Sequence, residues 1–204
     1  MYNEVQLGIL VFPDVEVLDF AGPFEVFSVA SRIAAGEIGV SDPFDVALVG
    51  ASGAAVRARH GLTVVPHASF DSAPALDLLI VPGGVVTQPL ADQDTLAWVR
   101  RQDAGSALTA SVCTGAFILA RTGIIDGLTV TTHWDDITEL RDTHPDITVL
   151  ENVPYVDQGR IVTSAGISAG IGMSLHLVGR ILGLPMARAT ARRMEYAWES
   201  LDVG

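Results

Sequence analysis

The pattern of apolar runs constrains this chain most. The runs Val5–Phe12, Phe44–Val49, Leu78–Val81, Ala107–Val112, Thr129–Thr132 and Ile161–Thr163 are short and rich in β-branched residues. Several are continuously apolar rather than alternating. A strand with one wet face alternates; a continuous one is buried on both faces, as in a parallel sheet covered by helices. Segments of helical period fall between the runs. Pro23–Ala35 opens on proline and closes at Gly36, Asp92–Gln102 carries Leu96 and Val99 on one face, and Thr114–Thr122 closes at Gly123. Trp134–Asp142 stops before Pro145. Ser168–Leu182 aligns Ile171, Leu175, Val178 and Leu182 ahead of Gly183, and Met186–Glu199 is the last helix. Ala54–Arg57 and Leu62–Val65 flank Arg59, His60 and Gly61 and predict a hairpin off the sheet. The expectation is one α/β domain over 1–204, a doubly wound, mostly parallel sheet with ligands at the carboxyl ends of its strands.

Charge and cysteine content exclude several chemistries. The chain has 24 acids against 12 bases, and every base is arginine. Without lysine there is no Schiff-base aldolase, pyridoxal anchor or Walker-type phosphate site. An acidic chain with no basic run is a poor partner for nucleic acid or an anionic membrane. Cys113 is the only cysteine, so an intrachain disulfide, a redox pair and a multi-cysteine zinc site are all excluded. His60, His67, His144 and His176 show no metal spacing, and no metal is assigned. The N-terminal residues lack the basic region of a signal peptide, and no run approaches the roughly 18 apolar residues of a membrane span. A soluble cytoplasmic protein is expected.

Four segments hold chemistry-bearing residues. In the first, a buried strand runs straight into a helix at Cys113, with Thr114 and Gly115 as small neighbours. That junction turns sharply and presents the sulfur at the sheet edge, and the helix N-terminus favours thiolate. The other reading of a lone cysteine is a buried, inert one. In the second, Pro82, Gly83 and Gly84 follow a strand; this is a tight turn, or a turn whose Gly84 amide joins that of Thr114 as an oxyanion hole. In the third, Asp19 stands among apolar residues ahead of the expected helix, as an N-cap or as a desolvated carboxyl able to exchange a proton with a thiol. Glu25 is its rival. In the fourth, His133 lies at a strand end in Thr131–Trp134, as a structural histidine or with a minor role in the same cleft.

Taken together, these residues resemble the DJ-1/PfpI (ThiJ/PfpI) superfamily, and within it the isocyanide hydratase branch. The matching pieces are Phe12–Pro13, Leu18–Pro23, Val81–Gly84, Ser111–Gly115, Thr131–Trp134, Thr163–Gly166 and Ser168–Gly170, in family order. The resemblance implies a flavodoxin-like three-layer sandwich of the class I glutamine amidotransferase-like type, a homodimer, and a small-molecule substrate handled without a cofactor. Cys113 matches the family nucleophile and Asp19 the acid bonded to it. Gly83, Gly84 and Thr114 match the donors around the substrate, and Phe20 and Ile167 are candidates for an apolar wall. Protease-like members place histidine after the cysteine; Thr114 stands there instead. The implied reaction is hydration of organic isocyanides to N-substituted formamides through a thioimidate on Cys113. The alternatives are glyoxalase or deglycase chemistry on methylglyoxal, an oxidisable-cysteine sensor, and a ligand-sensing domain like that of AraC-type regulators. The regulators carry a helix-turn-helix after this domain, and a chain ending at Gly204 is expected to have no room for one. The stripe Phe20, Phe24 and Phe27 is either core or an interface with a twin.

Overall fold

A computed structural model describes residues 4–37 and 42–198. Strands β1 (Val5–Leu10), β2 (Phe44–Gly50), β5 (Ala68–Ser69), β6 (Leu78–Val81), β7 (Leu108–Val112), β10 (Tyr155–Gln158) and β11 (Ile161–Ser164) form one sheet. Its order is β10-β11-β7-β6-β1-β2-β5, parallel throughout except for the β10–β11 edge. Every residue of β6 and β11 is buried, as continuous apolar runs demand. Helices α1 (Val17–Glu37), α6 (Ala169–Leu182) and α7 (Leu184–Arg193) pack on one another, and α2 (Thr87–Ala91), α3 (Gln93–Gly105) and α4 (Gly115–Thr122) form a second group. The expected α/β architecture is therefore present. No helix among the described residues is long and apolar enough to cross a membrane.

Cap chemistry places several helix ends. The Asp92 side chain accepts from the Asp94 and Thr95 amides, each at 3.3 Å, and starts α3. Gly123 closes α4 at φ 78, the left-handed cap the sequence predicts. The hairpin also forms, from β3 (Val56–Arg57) and β4 (Thr63–Val64), antiparallel.

Four expectations need correction. Helix α1 begins at Val17, so Pro23 lies inside it and Asp19 sits in its first turn. Buried Phe20 before the proline, and Val26 and Phe27 after it, hold the axis through a residue that cannot donate to the ladder. Thr129–Thr132 does not join the main sheet; only β8 (Thr129–Val130) is strand, paired with β9 (Thr148–Val149). α5 (Ile137–Thr143) is shorter than read, because a 3₁₀ turn takes up Trp134–Asp136. Helix α7 starts at Leu184 and ends at Arg193, before Glu195 adopts φ 52; Glu199 lies outside the described residues. The phenylalanine stripe is core. Phe27 meets Phe44 edge-on at 4.9 Å, Phe20 is buried, and Phe24 stacks on His67.

The sheet brings the ends of β1, β6, β7 and β11 to one edge, and a close approach to neighbouring backbone there is at Gly115. A Cβ on this residue would run into the Val81 carbonyl oxygen and lie 2.9 Å from that of Pro82. Backbone atoms cannot step aside as a flexible side chain does. Gly115→Ala is therefore expected to destabilise the fold by about 2–4 kcal/mol, from overpacking and backbone displacement. Urea denaturation checks this; a loss under about 0.5 kcal/mol, the usual scale of a surface change, would show that the β6–α4 contact is slack.

Candidate active site

Cys113 occupies the bend between β7 and α4. Its φ is 57, a left-handed conformation that costs an L-residue roughly 1–2 kcal/mol. The surrounding backbone imposes it. The Cys113 amide donates to the carbonyls of Ser164 (3.2 Å) and Ala165 (3.3 Å), and its own carbonyl accepts from Thr132 Oγ1 at 2.9 Å. Thr114 locks the other side, its hydroxyl accepting from Gly84 N at 2.9 Å and donating to Gly84 O at 3.0 Å. The result is a nearly buried thiol, 6% exposed, with the amides of Thr114 and Ile167 donating to the sulfur.

Asp19 comes to the same point from α1. It is fully buried, and Oδ2 accepts from Gly83 N at 3.0 Å. Oδ1 has no well-formed hydrogen bond, and Cys113 is the side chain that the carboxyl meets. Gly83 allows this approach, since a Cβ there would lie 2.5 Å from Thr114 N and 3.0 Å from Asp19 Oδ2. The rival Glu25 is exposed and pairs with Arg32 at 3.1 Å.

Burial decides the charges. Desolvation raises the Asp19 pKa from 3.8 to about 7, against the Gly83 hydrogen bond, with Glu16 adding to the rise. Desolvation and the neighbouring Asp19 carboxylate push the Cys113 thiol up to about 12, against the Thr114 and Ile167 amides. The expectation of a helix-stabilised thiolate is therefore corrected. At neutral pH the sulfur keeps its proton, beside a carboxyl that is about half ionised and poised to take it.

The donor set expected from the sequence also changes. Gly83 N is taken by Asp19 and Gly84 N by the Thr114 hydroxyl, so neither amide is free to receive an oxyanion. The donors aimed at the sulfur are Thr114 N and Ile167 N. Ile167 has φ 53 and is 38% exposed, open beside the sulfur; Phe20 belongs to the core and offers little wall. His133 stands at the rim, with Nδ1 3.1 Å from Asp136 Oδ2 and its ring against Gly166. Asp136 and Glu16 were missed in the sequence, although both raise the pair's pKa values. The spacing of His133 to Asp136 (i, i+3), and of Glu16 to Asp19, was the available signal. Among the described residues no three His, Cys, Asp or Glu side chains are grouped to hold a metal ion.

Comparison with known proteins agrees with this architecture. The DJ-1/PfpI family profile matches residues 6–180. The chain belongs to the DJ-1/PfpI family. It is 34% identical to an isonitrile hydratase of Pseudomonas putida over 194 residues, covering 95% of this chain and 79% of that protein. It is 28% identical to the HTH-type transcriptional regulator GbdR of Pseudomonas aeruginosa over 95% of this chain, but spans only 51% of the regulator. A THiJ/PfpI family protein from Pseudomonas syringae superposes with a TM-score of 0.84 at 26% identity, covering 99% of this chain and 79% of that one.

The raised Asp19 pKa has a consequence for stability. Between pH 3.8 and about 7 the folded protein retains a proton that the unfolded chain has lost, so stability falls as pH rises through this window. The full penalty, on the order of 4 kcal/mol, is reached above pH 7. Asp19→Asn removes the ionisation. It is expected to be more stable than wild type at pH 8, with the difference shrinking toward pH 4 in urea titrations; an equal difference at both pH values would refute the raised pKa.

Proposed function

We propose that the protein hydrates organic isocyanides to N-substituted formamides, without a cofactor, through a thioimidate on Cys113. The carrying observation is the buried Asp19 carboxyl against the Cys113 sulfur. The likeness to the Pseudomonas putida isonitrile hydratase supports the reaction class.

The terminal carbon of an isocyanide accepts both a nucleophile and a proton. Sulfur attacks it while the thiol proton passes through Asp19 to the same carbon, giving R–N=CH–S–Cys113. Water then adds to that carbon. Asp19 takes a proton from the water and passes it to the nitrogen, leaving the carboxylate free again. The C–S bond breaks with its electron pair going to sulfur, and the hydroxyl proton returns to the Asp19–Cys113 pair. The products are R–NH–CHO and the restored thiol. The Thr114 and Ile167 amides steady the negative charge on sulfur as it leaves. A thiol held up at about 12 needs such a base at contact distance, because little free thiolate exists at neutral pH.

The regulator relatives favour a second reading, a ligand-sensing domain that uses the same cleft without turnover. Formamide formation from a phenyl isocyanide separates the two. Cys113→Ala is expected to abolish turnover, and Asp19→Asn to lose about 10²–10⁴ in rate, the worth of a positioned acid–base group. Glu25→Gln is expected to change little, and His133→Ala to cost far less than Asp19→Asn. For wild type, kcat/KM rises with pH through about 7 as Asp19 loses its proton, and this limb disappears in Asp19→Asn. Absence of formamide from wild type with an intact thiol overturns the hydratase reading and advances the sensor.

We also propose a homodimer. With the phenylalanine stripe in the core, support shifts to Leu18, Leu62 and Val65, exposed apolar residues on α1 and at the hairpin. Light scattering at low micromolar concentration is expected to give the mass of two chains; the mass of one overturns it.

A further inference from the structure

The rim of the cleft carries an aromatic surface and an acidic group that the hydration steps do not use. Trp134 is 76% exposed, the highest value among the exposed large apolar side chains of the described residues. Its ring lies 5.5 Å from that of His133, tilted by 39°. His133 is fixed from both sides, by Asp136 at Nδ1 and by packing on Gly166. Gly166 lies between Ala165, whose carbonyl accepts from Cys113 N, and Ile167, whose amide donates to the sulfur. Two residues before Trp134, Thr132 bonds the Cys113 carbonyl. The indole thus stands on the segment that borders the site, against His133 and two residues beyond the Thr132–Cys113 contact.

The charges at this mouth are one-sided. Asp136 acts on the Cys113 sulfur through space, and the side-chain partner it has is His133. Asp135 stands beside it, exposed. On the α1 side, Glu16 is paired with Arg59 at 3.1 Å, which removes that guanidinium as an anchor for a substrate anion. The Asp19 carboxyl adds its own negative charge when ionised. A carboxylate or phosphate on the substrate would meet repulsion from these carboxylates, with the Arg59 guanidinium already engaged by Glu16.

We infer that Trp134 and Asp136 select the substrate, the indole seating an aromatic R group and the carboxylate turning anionic molecules away. This rests on the isocyanide reading for the reacting carbon, but its test does not require turnover. The relative rates at which iodoacetate and iodoacetamide alkylate Cys113 read the charge at the mouth, with 2-mercaptoethanol as the free-thiol reference. A ratio taken on one protein cancels its thiolate fraction. At low ionic strength the iodoacetate/iodoacetamide ratio is expected to fall roughly five- to tenfold below the reference, and to recover severalfold in Asp136→Asn. The R-group preference is read by how well the formamide products protect Cys113 from iodoacetamide. Trp134→Ala is expected to weaken protection by formanilide roughly tenfold while leaving N-butylformamide unchanged.

A wild-type ratio equal to that of the free thiol, or one that Asp136→Asn does not move, overturns the charge selection. Equal weakening of both formamides overturns the aryl seat. A Trp134→Ala protein of single-chain mass, made from a dimeric wild type, assigns the indole to contact between copies and overturns the seat as well. If both preferences hold and no isocyanide is turned over, the reaction is wrong and the selectivity stands.

Discussion

Everything at the candidate site depends on one residue being held in a conformation it would not choose. Cys113 has φ 57 at the bend between β7 and α4. Three neighbouring segments supply the constraint: the end of β11 accepts from its amide, Thr132 donates to its carbonyl, and the Pro82–Gly84 turn clasps the Thr114 hydroxyl. Each of these hydrogen bonds replaces one to water and is worth about 1 kcal/mol net, so together they exceed the torsional cost. The parallel ladder makes this affordable, because β6, β7 and β11 end side by side and deliver their loops to the same place.

That geometry settles how the sulfur behaves. A helix N-terminus alone favours thiolate, and α4 begins two residues beyond Cys113. Burial and a second buried acid outweigh it. Two adjacent desolvated acids cannot both ionise cheaply, so the sulfur keeps its proton across neutral pH while Asp19 ionises near 7. Such a pair suits a reaction in which carbon must receive a proton as sulfur attacks it. It is less suited to simple alkylation chemistry, where a free thiolate would be faster.

The same crowding accounts for the glycines at the edge. Gly83 admits Asp19 and Thr114 to its Cα, and Gly115 rests on the Val81 carbonyl. The backbone amides of the Pro82–Gly84 turn are spent on holding Asp19 and Thr114 in place. The donors left for the sulfur come from Thr114 itself and from Ile167 on the β11–α6 connection.

Local sequence determined the strands of the parallel sheet apart from the two-residue β5, because continuous apolar runs such as Leu78–Val81 have no other way to bury both faces. It determined helix ends where a single residue carries the cap, as at Asp92 and Gly123. The family motifs made Cys113 and Asp19 legible as candidates. Tertiary structure decided the rest, for reasons of long-range contact. Burial of Phe20 and Phe27 carried α1 through Pro23, where local preference would have started the helix later. The strand β10 pairs at a sheet edge with only Tyr155 fully buried, so its composition does not announce it. The raised pKa values and the engaged glycine amides arise from residues 64 to 94 positions apart in the chain (83 − 19 and 113 − 19) meeting in a dry place. No window of sequence contains that desolvation; only the folded edge does.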